Sequence, residues 1–241
     1  WLKPDRSVYG NLRCSGNAKN LDIQNLQFSS GRLTRADIQG KLRNLDNIDS
    51  LFTSLEVKNI QTDDEDLRGF LSSFHLTPEV IPKNVSTLGL MTYQGFIQSS
   101  LSDWRMYGNF ETAIGNVNGD VDFQFQDIPS FNGFLDIESF DLGQYYYTDQ
   151  LGSVSANLDV HGQGLSLKEL DVKAYGEIQS IEMIGYVYHD ITVDGAFKNK
   201  AFDGDIVIRD VNMDVEFEGG VDFSRRLPEL TCQIKVKTAN L

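Results

Sequence analysis

The chain has 241 residues and carries 21 Lys+Arg against 35 Asp+Glu, a formal net charge of −14. Phosphate backbones reward cations, so this balance excludes nucleic acid as a natural partner. No run approaches the roughly 20 apolar residues that span a bilayer, and the opening "WLKPDRSVYG" lacks a secretory-signal pattern and starts in mid-pattern, so the chain is read as a piece of a longer protein.

Residues 1–85 are the less regular part and 86–241 the more regular one. In the first part, "VYGNLRCSG" puts Val8, Gly10, Leu12 and Cys14 on one strand face. Weaker alternation follows in "LDIQNLQFSSGRL" and "DIQGKLRNLDNI", and "FTSLEVKNI" returns to strand. One short helix is expected near 64–74, in "DDEDLRGFLSSF". Asp63 or Asp64 caps its open N–H groups, acids fill its first turn, and Leu67, Phe70, Leu71 and Phe74 recur at helical spacing. Pro78 and Pro82 forbid its continuation.

From residue 86 the signal is period two. Val121, Phe123 and Phe125 share a face, as do Leu158 and Val160 with Val154 and Ala156. The same holds for Ile191, Val193 and Phe197, for Phe202, Ile206 and Ile208, for Val211, Met213, Val215 and Phe217, and for Leu230, Ile234 and Val236. Asn118-Gly119 predicts a tight hairpin between strands near 106–116 and 120–126, while "HGQG" (161–164) and "EGG" (218–220) read as turns. Neither sits in a nucleotide-binding context. Glycine inside a strand marks a bulge or a close approach to the backbone.

The chemistry-bearing residues do not converge. His75 falls at the helix end, His161 in a turn and His189 at a strand end, far apart in sequence. The acid pairs Asp136/Glu138, Asp203/Asp205 and Asp214/Glu216 have the spacing of one strand face, but they recur along the chain, as a solvated outer face requires. "GQYYYTD" (143–149) reads as a partly buried loop, and Cys14 and Cys232 as buried free thiols. Neither an enzyme, a metal site nor a cofactor is expected.

What the apolar faces touch is not decided by periodicity. Two sheets packed face to face are the ordinary solution; the other is one long curved sheet whose apolar face lines a groove. Both need apolar-in, polar-out alternation. The presence of a single short helix to cover so much sheet leans toward the groove.

The order of motifs in the C-terminal part adds to this. The "FDLG…LG" opening, the "GYVYHDITVDGAFKNKAFDGDIVIRDVNMDVEFEGGVDFS" core and the "LPELTCQIKVKTANL" close resemble the TamB family of the AsmA-like superfamily of Gram-negative bacteria. The upstream "LGLMTYQGFIQSSLSDWRMYGNFETAIGNVNGDVDFQF" is similar to that family's preceding hairpins. The resemblance covers 86–241 and reaches 1–85 only loosely. It implies an all-β fold, an elongated, curved antiparallel sheet forming a U-shaped hydrophobic groove. It further implies a periplasmic segment of a bridge-like lipid-transfer protein that carries phospholipid between the inner and outer membranes and supports outer-membrane biogenesis. An inner-membrane anchor and contact with an Omp85-class barrel would lie outside this fragment. The apolar residues named above would then line a trough for phospholipid acyl chains. The alternative within the same compartment is a chaperone-like scaffold that binds unfolded barrel strands by β-augmentation.

Overall fold

The computed structural model describes residues 8–73, 81–164, 169–225 and 227–240. The fold is all-β. In chain order the elements are β1 (Val8–Gly16), β2 (Leu21–Ser30), β3 (Thr34–Arg43), β4 (Phe52–Thr62), α1 (Asp64–Ser73), β5 (Met91–Ser99), β6 (Asp103–Thr112) and β7 (Gly115–Gln124). They continue as β8 (Ser130–Asp141), α2 (Leu142–Tyr146), β9 (Leu151–Gln163), β10 (Asp171–Met183), β11 (Tyr186–Lys198), β12 (Ala201–Arg209), β13 (Met213–Asp222) and β14 (Glu229–Ala239). Each strand lies beside its sequence neighbours in one open antiparallel 14-stranded sheet that runs from β1 to β14. Two separate sheets packed face to face, the ordinary solution for such a pattern, are not what this sequence builds.

Up-and-down order follows from the short connections. Turns at 113–114, 184–185 and 199–200 leave a strand no choice but to return beside the one it has just left. The chain divides into two compact units, Trp1–Asp120 and Val121–Leu241. The division expected from sequence at 85/86 falls inside a 3-10 turn, Lys83–Leu88.

Some turns lie elsewhere than their sequence signals suggest. The β6–β7 hairpin turns at 113–114, and Asn118-Gly119 sits within β7. The tight turn is instead closed by Thr112, whose hydroxyl bonds the Gly115 carbonyl oxygen at 2.7 Å and accepts from the Ile114 N–H at 3.2 Å. Likewise, His161 and Gly162 belong to β9, and Gly219 and Gly220 to β13. The "YYY" stretch is not a loop throughout: Tyr145 and Tyr146 end α2, capped by Asp141, whose side chain accepts from the Gln144 N–H, and Tyr147 closes it in the left-handed conformation. So, among the described residues, α2 and two 3-10 turns join the one helix expected.

The helix α1 forms where its acids predict, and its N-terminal residues fasten it to the sheet. Asp63 caps it by accepting from the Asp66 N–H at 2.8 Å, and pairs with Arg32 at 2.5 Å. Asp66, only 3% exposed, accepts from the backbone N–H groups of Arg32 (3.2 Å), Leu33 (2.7 Å) and Thr34 (3.0 Å) in the β2–β3 turn. One carboxylate thus satisfies three backbone donors that would otherwise be orphaned. Phe74, His75 and Pro78 lie outside the described residues.

Burial pushes the Asp66 carboxyl up, but the hydrogen bonds from Leu33, Arg32 and Thr34 outweigh it and hold it below its ordinary 3.8. A lowered native value means that the stabilisation is complete above about pH 4 and is lost as the pH falls through that native value. Replacing Asp66→Asn should therefore lower the hydrogen-exchange protection of the Leu33 and Thr34 amides about tenfold near neutral pH, roughly 1.4 kcal/mol. The gap between mutant and wild type should close in acid. An unchanged protection factor at neutral pH would show that Asp66 does not hold this turn.

Candidate functional site: an apolar sheet face

In an antiparallel pair, residues directly opposite each other point to the same face, so the pairing register decides whether separate apolar runs become one surface. In the second unit they do. Ile137, Ala156, Ile178, Ile191, Ile208, Val215 and Val236 form one row across β8 to β14. Leu135, Leu158, Gly176, Val193, Ile206, Phe217 and Ile234 form the next. A third row is small, with Gly133, Val160, Ala174, Gly195, Gly204, Gly219 and Cys232, and a fourth returns to large side chains with Phe131, Gly162, Val172, Phe197, Phe202, Val221 and Leu230. A slip of one residue on any strand would turn its whole set to the other side.

Most of the residues expected to line a trough take their places in these rows. Leu158 and Val160 come from β9, Ile191, Val193 and Phe197 from β11, and Phe202, Ile206 and Ile208 from β12. Val215 and Phe217 come from β13, and Leu230, Ile234 and Val236 from β14. Met213 begins β13, two residues before Val215, and is half-buried. Val121 and Phe123 lie on β7, Val121 buried. Two residues depart. Val211 is in the β12–β13 turn and 86% exposed, because Asp210 gathers that turn around itself and ends β12 early. Its carboxylate accepts from the Tyr186 hydroxyl (2.6 Å) and from the N–H groups of Asn212 (2.8 Å) and His189 (3.1 Å). Phe125 lies just past the end of β7, half exposed, with its ring stacked on Phe123 at 6.1 Å.

Sequence reasoning missed the contributions of β8 and β10. Leu135, Ile137, Val172 and Ile178 have the same period-two signal, but glycines and the bulges at 137/140 and 178/180 break it into fragments of two or three positions. In the first unit, the sequence pattern identifies the β1 face of Gly10 and Leu12 but not the rows they join. There Gly10, Phe28, Ala36, Ile60, Tyr93 and Phe110 form a row, beside Leu12, Leu26, Ile38, Val57, Gly95 and Gly108. Bulges in β2 and β4 hide that alternation from a fixed two-residue reading.

Burial grades along the face. Ile191 is 5% and Ala156 1% exposed, whereas Val236 on the edge strand is 57% exposed. The strands pack on their ladder neighbours, and in the second unit α2 lies against β9. Cys14 is exposed rather than buried, because the whole of β1 is an exposed edge; Cys232, on β14, is half-buried, and both thiols are free.

The glycines work as close-approach positions. A Cβ on Gly204 would sit 2.4 Å from both the Asp194 carbonyl oxygen and the Gly195 Cα, and its φ of +155° is one that other residues rarely adopt. Beside it the Phe202 ring lies on Gly195, where an added Cβ would come within 2.6 Å of it. Aromatic cover over a glycine pair repeats in the first unit, where the Tyr93 hydroxyl reaches across Gly95 and Gly108 and its one proton is shared between the carbonyls of Phe96 (3.0 Å) and Tyr107 (3.2 Å).

The opposite face is ionic. Arg209 pairs with Asp214 (2.6 Å) and Glu216 (3.0 Å), and Lys237 (2.6 Å) and Lys235 (3.3 Å) also reach Glu216. Together Lys237, Lys235 and Arg209 hold the Glu216 carboxyl down at about 2. The acid pair Asp214/Glu216 is thus a cross-strand charge ladder tying β12, β13 and β14. His161 stands on β9 between Asn132 and Lys173. Among the described residues no helix is long and apolar enough to cross a membrane. Comparison with protein-family models, curated proteins and solved structures finds no match to this chain.

Gly204→Ala should destabilise the second unit by about 1–3 kcal/mol, since it adds both backbone strain and a clash with backbone atoms. Gly220→Ala, one residue further along β13 than the Gly204 partner, meets Asp203 Oδ2 only at 3.2 Å and needs no positive φ, so it should cost less than about 1 kcal/mol. Urea titration followed by tryptophan-independent far-ultraviolet dichroism separates them; equal losses would remove the close-approach role.

Proposed function

We propose that this chain is a segment of a bridge-like lipid-transfer protein whose apolar face holds phospholipid acyl chains on their way between the inner and outer membranes of a Gram-negative cell. The observation that supports this best is the in-register apolar face of β8 to β14, backed by a charged outer face. Such a surface gains about 0.8 kcal/mol for each CH₂ it takes from water, so an acyl chain is held once most of its length is covered. Rows of near-equivalent apolar residues repeat at the strand spacing of about 4.8 Å, so neighbouring positions differ little in energy and a chain can move between them without a chemical step. The outer Asp, Glu, Lys and Arg keep the segment dissolved in the periplasm. The C-terminal motifs that resemble the TamB family agree with this reading, and with it an inner-membrane anchor and an Omp85-class barrel partner belong to other parts of the whole protein.

A second reading draws on β14. It is an edge strand whose Leu230, Ile234 and Val236 are more than half exposed, and such an edge can take up an extended segment of another protein by β-augmentation. A scaffold for unfolded barrel strands would use that edge rather than the face.

Val215→Asp with Phe217→Asp puts two carboxylates on the apolar face, on β13, without touching the outward hydrogen-bonding groups of β14. Lipid transfer between donor and acceptor vesicles, or in cells, should fall at least about tenfold while far-ultraviolet dichroism keeps its strand signal. Unchanged transfer by a folded double mutant would overturn the lipid reading and favour the edge.

A further inference from the structure

The connection between β4 and β5 is the exception in this sheet. It runs over 63–90, whereas the other connections range from 184–185 and 199–200 up to 142–150. Connections in compact sheets are commonly about 4–6 residues. Described contacts fasten this one to the rest of the unit through Asp66 and Leu88 and to itself through Arg68. Asp66 fastens α1 to the β2–β3 turn, as above. Arg68 pairs with Asp64 (2.8 Å) and donates to the carbonyls of Ile81 (3.2 Å) and Pro82 (2.9 Å). The Leu88 carbonyl accepts from the Ala113 N–H at 2.9 Å.

Between this excursion and the apolar face of the first unit lies an open-sided cavity of about 290 Å³. Leu67, Ile81, Val85 and Leu88 form its roof, and Ile60, Met91 and Phe110 belong to its floor. Most of its described lining is apolar; Thr62, Thr92 and Tyr93 also border it, the Thr62 hydroxyl bonded to that of Thr34 (2.9 Å) and the Tyr93 hydroxyl spent on backbone carbonyls. Protein interiors close-pack, so apolar space that no described side chain fills is unusual beneath an element that serves only to cover a core.

We infer that this cavity is a binding site for the methyl end of a single acyl chain, entered tail first. The inference rests on the lipid reading above and deepens it by naming a place where the chain is held rather than passed along. The volume is about twice that of an apolar cavity of 150 Å³ that accepts one benzene, which gives room for roughly a dozen carbons, the distal half or more of a common membrane acyl chain. Among the described lining residues the polar side chains are the hydroxyls of Thr62, Thr92 and Tyr93 and none is charged, so a phosphate or carboxylate headgroup would be desolvated without a cationic partner and stays outside.

The test uses the full chain and two photoreactive palmitic acids, one with its diazirine beside the terminal methyl and one beside the carboxyl, with labelled peptides mapped by mass spectrometry. The methyl-end probe should label peptides containing Leu67, Val85, Leu88 and Met91, and the carboxyl-end probe should label them at least about tenfold less. Val85→Trp, which fills the cavity, should remove the methyl-end label there and leave any label on β11 to β14 unchanged. Should that variant not fold, the two probes on the wild type still decide. Label on β11 to β14 with none in the cavity would overturn this inference and leave the lipid reading standing, whereas label in the cavity alone would support the site and overturn the conduit. Equal labelling of the cavity by both probes would overturn tail-first entry. No label anywhere on a folded chain would overturn both readings.

Discussion

Everything distinctive about this protein depends on pairing register. Strand side chains alternate with a period of two, so seven strands in succession can share an apolar face only if every pairing agrees with its neighbours. From β8 to β14 they agree over four adjacent rows. The bulges that interrupt β8 and β10 do not spoil this. After the bulge at 137/140 Phe140 opposes Val154, and after the one at 178/180 Ile181 does the same, so both strands return to the apolar face. A bulge is thus a means of keeping face while bending the strand.

Register also explains the division of labour between glycine and the aromatic residues. Gly195, Gly204 and Gly219 are direct partners on three consecutive strands, which lets the backbones close up where a Cβ would strike the next strand. Phe202 then folds over the gap, and its ring stands 6.4 Å from that of Phe217. Large side chains are anchored by a neighbour's lack of one. On the other side, the ion pairs of Arg209, Asp214, Glu216, Lys235 and Lys237 cross the same strands, so the edge strand is held by charge on its outer face and by apolar contact on its inner face. The two lysines of β14 also discourage casual edge-to-edge association.

Much of this was legible in the sequence. Alternation over 121–125, 191–197, 202–208 and 213–217 identified strands and their apolar faces, because it runs unbroken for several positions. Acids at 63–66 located α1, since carboxylates at a helix start have a definite electrostatic reason to be there. Legibility failed where a tertiary partner decides. Asn118-Gly119 has the chemistry of a hairpin turn, but the pairing of β7 needs those residues in the strand, and Thr112 supplies the turn instead. Val211 continues the alternation of Met213 and Val215 in the sequence and leaves it in space, because the hydrogen bonds gathered by Asp210 involve Tyr186 and His189, residues of β11 that no local pattern connects to it. The cavity beneath α1 and the Lys83–Leu88 turn was invisible for the same reason: its lining comes from β4, α1, the 81–88 stretch, β5 and β6, and no local pattern connects these pieces.

The central claim is that the apolar face of the second unit meets lipid while the opposite face meets water. Met213 and Asp214 are adjacent on β13 and project to opposite sides. A photo-crosslinking residue placed at each in turn, in cells, followed by detection of phosphate-labelled lipid on the purified protein, tests that directly. Label at Met213 and none at Asp214 is the predicted result. Absence of label at both positions, or equal label at both, in a protein that is folded and correctly located, would contradict it.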